Sequence, residues 1–248
     1  MMRLMQSIFY GFLIVFSVQE ISGRYNIGFL TVATGKYINF IEPLIRSAKK
    51  HFCTNHAVHY FIFTDTHMPS TEDTTIIFQK KLGWPYDSMM RYAMYASNKN
   101  LFKDMDYLFA CDSDMLFVDT VGDEILGDRV ATLHPAWVGS KGTYENRPIS
   151  IAYIDRNIQG KNYYAGGFNG GKMQEFCDMA QAITKNIYFD LQNRIVAICH
   201  DESHLNRFYV DNEPTVILSP SYCYWQGKIL PYQQRLVALN KNHDEYRK

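Results

Sequence analysis

Apolar and polar positions follow two rhythms along the first half of this chain. Asn26–Val32 (NIGFLTV) is a near-continuous apolar run of strand length and reads as a buried strand. Gly35-Lys36-Tyr37 breaks it, and Tyr37–Lys50 then sets Phe40, Ile41, Leu44, Ile45 and Ala48 at helical spacing. Val58–Thr64 (VHYFIFT) reads as a second strand, and the polar stretch Met68–Thr75, with Pro69, as a loop. Asp87–Phe102 returns to helical spacing, and Tyr107–Cys111 (YLFAC) is a short, wholly apolar strand. Strands alternating with helices predict an α/β fold with a mostly parallel central sheet and crossover helices. The second half is richer in Gly, Asn and Tyr and has longer loops, as expected where a substrate site is built. No linker divides it, so residues 25–248 are expected to form a single domain.

Before that domain lies an apolar run of eleven residues, Ile8–Val18, preceded by Arg3 and followed by Ser22 and Gly23. A spanning helix needs about 20 apolar residues. The run over residues 1–24 therefore reads as a signal-peptide core or a short signal anchor, with a buried helix as the alternative.

Composition narrows the function classes. The chain has 248 residues, with 25 Lys+Arg against 25 Asp+Glu. A zero net charge offers no surplus of cations for binding a phosphate backbone, so no nucleic-acid partner is expected. Aromatic residues reach 15%, and their flat faces suit either sugars or a Tyr-rich core. The five cysteines are odd in number and include no C-x-x-C pair, which excludes a zinc-ribbon pattern and a disulfide framework.

Three segments carry candidate chemistry. Asp112-Ser113-Asp114 directly follows YLFAC. Ligands in open α/β sheets bind beyond the carboxyl ends of the strands. Two carboxylates there can hold a hard divalent cation shared with substrate phosphates, or form a surface turn. Asp104-Met105-Asp106 has the same spacing but precedes the strand, where a solvated turn is expected. In Cys199-His200-Asp201-Glu202-Ser203-His204, three ionisable residues in a row cannot all be buried unpaired. Placed at a helix start, the acids would favour the positive end of the helix dipole. His200 and His204 imitate a zinc-peptidase pair, but that motif needs the Glu directly after the first His. Tyr163-Tyr164-Ala165-Gly166-Gly167-Phe168-Asn169-Gly170-Gly171 is not a dinucleotide fingerprint. It reads as close approach of backbone to a ligand, or as a flexible turn or strand bulge.

Taken in order, YLFACDSDMLF, TLHPAW with TYENRP, YYAGGFNGG, CHDESHLNRF and LSPSY resemble the catalytic domain of the histo-blood-group ABO-like α1,3-glycosyltransferases, glycosyltransferase family 6. The likeness runs from Asn26 to the C-terminus. It implies a GT-A fold, a single α/β domain with a nucleotide-sugar half and an acceptor half. It also implies retaining transfer of GalNAc or Gal from a UDP-sugar to the 3-hydroxyl of a galactose-terminated glycan or glycolipid. By the resemblance, Asp112 and Asp114 hold Mn²⁺ against the diphosphate, with Ser113 between them on the donor side. Val32, Ala33 and Tyr37 line the uridine pocket, and Arg91 binds the donor. Ala165, Gly166 and Gly167 lie beside carbon 2 of the donor sugar, where small residues favour UDP-GalNAc over UDP-Gal. Asp201 binds the donor sugar and Glu202 is catalytic, as a nucleophile or as a stabiliser of an oxocarbenium ion. His134 and Thr143 match acceptor contacts. Lys241 and Arg247 belong to a basic tail that closes over the diphosphate. The sequence departs from the family at Cys199, where many members carry Trp, and at Trp225, which aligns with an acidic acceptor contact. Location in the Golgi as a single-pass type II membrane protein, or export after signal cleavage, is implied as well.

Two readings from other classes remain open at this point. One is a catalytically inactive nucleotide-sugar or glycan-binding module, against which Asp112, Asp114, Arg91 and Glu202 all speak. The other is a metal-dependent hydrolase, which predicts no dependence on a sugar acceptor.

Overall fold

The computed structural model describes residues 23–140, 142–155, 157 and 162–247. The apolar run before the domain lies outside the described residues, apart from Gly23 and Arg24 at its border. Among the described residues no helix is long and apolar enough to cross a membrane.

In chain order, β1 (Asn26–Val32), α1 (Ile41–His51), β2 (Ala57–Thr64) and β3 (Thr74–Phe78) come first. The short helices α2 (Tyr86–Met89) and α3 (Arg91–Ser97) follow, then β4 (Tyr107–Cys111), β5 (Met115–Phe117) and β6 (Arg129–Leu133). The second half holds β7 (Tyr164–Lys172), α4 (Met173–Gln192), α5 (His200–Asp211), β8 (Val216–Leu218), β9 (Tyr224–Trp225), β10 (Leu236–Ala238) and α6 (His243–Tyr246). A seven-stranded sheet has the order β3-β2-β1-β4-β7-β6-β8, and a smaller sheet the order β5-β10-β9. In the large sheet β7 alone runs against its neighbours.

The central strands are apolar throughout because both faces of the sheet are covered. Side chains alternate between the faces. Ile27, Phe29 and Phe109 join one core with Phe52, Phe117 and Phe168. Leu30, Leu108 and Ala110 point the other way, into a core with Tyr92, Tyr95, Phe176 and Ile183. Helix α4 contributes Phe176, Ala180, Ile183 and Ile187 at one-face spacing.

Three elements differ from the sequence pattern. The helical stretch expected over Asp87–Phe102 is divided into α2, α3 and a 3-10 turn at Lys99–Phe102. Met90 and Asn98 leave helical geometry, and the Asn98 amide donates back to the Met94 carbonyl at 2.8 Å, which ends α3. Part of the stretch read as a loop is β3, which begins at Thr74 and pairs with β2 from Tyr60 onward. The glycine-rich segment is a buried strand rather than a turn. A Cβ on Gly170 would stand 2.3 Å from the Phe109 ring and 2.4 Å from the Leu108 carbonyl, so glycine is what lets β7 lie against β4. Its register with β6 slips between Ala131 and Thr132, which pair with Asn169 and Ala165, and Gly166–Phe168 bulge.

From β1 the chain steps outward to β2 and β3, then returns to place β4 on the other side of β1. The order therefore reverses between β1 and β4, and a crevice opens beyond their carboxyl ends.

Candidate active site

That crevice is built from the ends of β1 and β4. Val32 closes β1, and Tyr37 enters from the 3-10 turn Gly35–Phe40. Asp112, Ser113 and Asp114 follow β4 at once. The Asp112 N–H donates to the Gly167 carbonyl at 2.8 Å, and the Leu239 N–H donates to the Asp114 carbonyl at 2.9 Å. These bonds hold the turn against the bulge of β7 and the strand β10. The resulting cavity of about 210 Å³ is lined by all three residues of the acidic motif.

Arg91 is the hub. It is 9% exposed and forms ion pairs with both Asp112 and Asp201. It also donates to the Gly166 carbonyl and to the carbonyl and hydroxyl of Ser88. The Ser88 hydroxyl in turn donates to Asp201 at 3.2 Å. A planar guanidinium suits this shared role, because its donors form a fixed fork. Burial raises the Asp201 carboxyl, and Arg91 acts against that rise.

Helix α5 brings Asp201 and Glu202 to the crevice in its first turn. His200 takes a left-handed φ of 51° just before them, a conformation costly for a residue other than glycine. Such a backbone persists only where its surroundings enforce it. The half-buried Glu202 accepts from the Gly166 N–H at 2.8 Å and from the Tyr163 hydroxyl at 2.7 Å. Burial pushes its carboxyl up to about 7, against the pull of those two donors.

The C-terminal segment covers the crevice. Lys241 pairs with Asp114 and lies near the Tyr37 ring. The Arg247 guanidinium sits 3.6 Å above the Trp84 ring, and its Nε is buried without a hydrogen-bond partner. Tyr246 packs on Tyr37 and Phe40, and Lys36 pairs with Glu245 at 3.2 Å. Burial lowers the Lys241 ammonium below its usual value and raises the Tyr37 phenol.

On the other side of Glu202 stands an aromatic wall. The His134 ring lies 5.6 Å from Tyr163, 5.7 Å from Trp225 and 6.4 Å from Trp137. Burial pulls the His134 imidazole down to about 4, so it is neutral at physiological pH. Its Nδ1 accepts the Ala136 N–H, which leaves the proton on Nε2. Cys199 reaches the Thr143 carbonyl at 3.8 Å, which joins that residue to the same side.

The structure thus brings together most of the residues singled out from the sequence. Val32, Tyr37, Arg91, Asp112, Ser113, Asp114, Lys241 and Arg247 line one cavity. Ala165, Gly166 and Gly167 follow Tyr164 at the start of β7, with Gly166 beside Asp201 and Glu202 and Gly167 beside Asp112. His134, Thr143 and Cys199 lie on the wall side. Ala33 is the exception in detail, since its side chain is fully buried with Ile41 and Ile62. Thr34, Trp84, Ser88 and Tyr246 line the cavity without having been foreseen, and Tyr163 was not foreseen as a partner of Glu202. Only Ser88 carried a usable signal, standing one helical turn before Arg91. Asp104 is exposed, and Asp106 accepts the Asn26 N–H at 2.7 Å, so that pair is the solvated turn expected. All five cysteines are free.

Among the described residues no cluster of three or more His, Cys, Asp or Glu forms a complete metal cage. Asp112 and Asp114 instead offer hard oxygens at a cavity edge, where Arg91 holds one oxygen of Asp112 and Lys241 one of Asp114, leaving the other oxygen of each carboxylate. That set fits a divalent cation that shares its coordination with substrate phosphates and water.

Comparison with known proteins agrees with this geometry. The family described as Glycosyltransferase family 6 matches residues 15–248. Histo-blood group ABO system transferase 1 of Rattus norvegicus is 37% identical over 239 residues, spanning 89% of this chain and 68% of the relative. Histo-blood group ABO system transferase 2 of the same species is 35% identical over 239 residues, 89% of this chain and 71% of the relative. Human globoside alpha-1,3-N-acetylgalactosaminyltransferase 1 is 33% identical over 227 residues, 86% of this chain and 65% of the relative.

Proposed function

The chain belongs to glycosyltransferase family 6 and is a hexosyltransferase; we propose that it moves N-acetylgalactosamine from UDP-GalNAc, and less readily galactose from UDP-Gal, to the 3-hydroxyl of a galactose-terminated glycan or glycolipid with retention. The observation that carries this reading is Arg91, which ties the acidic motif of β4 to Asp201 of α5 in one crevice. Gly166, whose carbonyl accepts from Arg91 and whose N–H donates to Glu202, joins Glu202 to the same group, which supports a donor bound beside it.

Asp112 and Asp114 would hold Mn²⁺, which when bound neutralises charge on the leaving diphosphate. Lys241 and Arg247 add positive charge from the tail, and the orphaned Nε of Arg247 is a donor suited to a phosphate oxygen. Tyr37 and Val32 form the base pocket at the end of β1. Asp201, fixed by Arg91 and Ser88, accepts from donor-sugar hydroxyls. Glu202 faces the anomeric carbon and stabilises the positive charge that develops as UDP departs. Both of its oxygens already accept hydrogen bonds. That bonding favours the role of charge stabiliser over nucleophile, because it draws electron density from the attacking lone pairs. The wall of His134, Trp137 and Trp225 offers flat faces to the apolar side of a galactose acceptor. The lean to UDP-GalNAc rests on Gly167, whose missing side chain leaves a methyl-sized gap beside Asp112.

The N-terminal apolar run supports membrane attachment or export through the secretory pathway, and fractionation of cells expressing the full chain tests it. The activity itself is tested by UDP release from UDP-GalNAc and UDP-Gal, with and without a galactose-terminated disaccharide. Acceptor-dependent release is expected. Release at the same rate without acceptor would mark a hydrolase, and binding without release would mark a module that has lost its chemistry.

A further inference from the structure

The second donor on Glu202 comes from a residue that has no part in the reaction described so far. Tyr163 stands immediately before β7 and is 1% exposed. Its hydroxyl donates to Glu202 Oε1 at 2.7 Å. Its carbonyl accepts the His134 N–H at 3.0 Å. Its ring meets His134 at 5.6 Å, Trp137 at 6.5 Å and Tyr144 at 5.2 Å. Gly142 lies flush on the ring, since a Cβ there would approach it to 2.0 Å. Tyr163 is therefore wedged between the aromatic wall and the carboxylate.

Packing alone would be served by phenylalanine. A buried phenol instead demands a partner, and the partner here is the carboxylate of the reaction. The Gly166 N–H fixes only Oε2, which leaves Glu202 able to swing about that single bond. A second donor on Oε1 removes this freedom and sets the plane of the carboxylate. We propose that Tyr163 is a positioning residue for Glu202, whose hydroxyl holds the carboxylate toward the donor sugar and whose ring keeps it in register with the acceptor wall. This rests on the glycosyl-transfer reading above.

The test is Tyr163→Phe, which keeps the ring and removes the hydroxyl. Loss of one hydrogen bond to a charged group should lower kcat about 10- to 100-fold. The KM values for UDP-sugar and acceptor should stay within about twofold, and the melting temperature should hold. In a Glu202→Ala background the same change should alter the residual rate by less than about twofold, because the effect runs through Glu202. A crystal structure of Tyr163→Phe should show the wall in place and the Glu202 carboxylate turned away from its present plane. An unchanged kcat, an equal loss in the Glu202→Ala background, or an unmoved carboxylate would each overturn the proposal. A wild-type protein that transfers to no acceptor would overturn the transferase reading instead, and the crystal structure would still decide the role of Tyr163.

Discussion

Gly167→Ala is expected to move donor preference from UDP-GalNAc toward UDP-Gal. The added Cβ would stand 3.4 Å from Asp112 Oδ2 and 3.5 Å from both Cys223 Sγ and Met115 Sδ. These are ordinary contact distances, so the methyl group fits without displacing the backbone. On the proposed donor placement, it fills a methyl-sized gap beside Asp112 that an acetamido group would use and a hydroxyl would not. Discrimination over a group of this size is worth about 1–3 kcal/mol, or about 10- to 200-fold in the ratio of kcat/KM values. Gly170→Ala gives the contrast on the same strand. Its Cβ would lie 2.4 Å from the Leu108 carbonyl, so that variant should fail to fold. The assay is kcat/KM for each donor at fixed acceptor, with the melting temperature measured in parallel. A folded Gly167→Ala enzyme with an unchanged ratio would refute the steric argument, as would a wild-type enzyme that already prefers UDP-Gal.

Three further outcomes are expected. Chelation of divalent ions should abolish transfer and Mn²⁺ should restore it, with Asp114→Asn inactive and Asp104→Asn close to wild type, as titration of Mn²⁺ against UDP release would report. Truncation after Leu239 should lower turnover at least tenfold, by removing Lys241 and Arg247 from the cavity and the edge-on contact of Tyr246 with Tyr37, while circular dichroism and melting temperature stay near wild type because no core residue is lost. Glu202 must be ionised to stabilise positive charge, so kcat/KM should fall as pH drops below about 7. Its folded value also lies above the ordinary 4.5, so its stabilising contribution is complete below 4.5 and is lost as pH rises through about 7. Glu202→Gln should therefore melt higher than wild type at pH 8 while its transfer falls to the residual rate expected of Glu202→Ala.

The sequence displays those parts of the molecule whose physics is local. β1 and β4 are covered on both faces, so they read directly as apolar runs, and the acids after β4 could be placed at a sheet end. β7 escaped because its needs are not local. Its glycines answer to Phe109 and Leu108 on the neighbouring strand, and glycine within a strand looks like a turn. The breaks at Met90 and Asn98 carry no Gly or Pro to announce them. Ser88 meets Asp201 across 113 positions, and Lys36 meets Glu245 across 209. Nothing in a linear pattern joins such pairs. Tyr163 was hidden for a related reason, since nothing among the 18 tyrosines gives one phenol away as the partner of Glu202.

The charges around the crevice explain why tail, metal site and Glu202 belong to one device. Asp112, Asp114, Asp201 and Glu202 converge there against Arg91, Lys241 and Arg247. Arg91 is committed to two acids at once and cannot turn to a phosphate without releasing one of them. A diphosphate arriving beside these carboxylates meets repulsion of about 4 kcal/mol per close pair at an effective dielectric constant of 20. Lys241 and Arg247 offset part of that. On the proposed reading, a divalent cation held by Asp112 and Asp114 would offset the rest. Burial leaves Glu202 near half protonation at neutral pH, and the neighbouring Asp201 and Asp112 push its carboxyl the same way. On the proposed transfer, any net positive charge that the donor complex brought to the crevice would favour the ionised form of Glu202 and so link its charge to the presence of substrate.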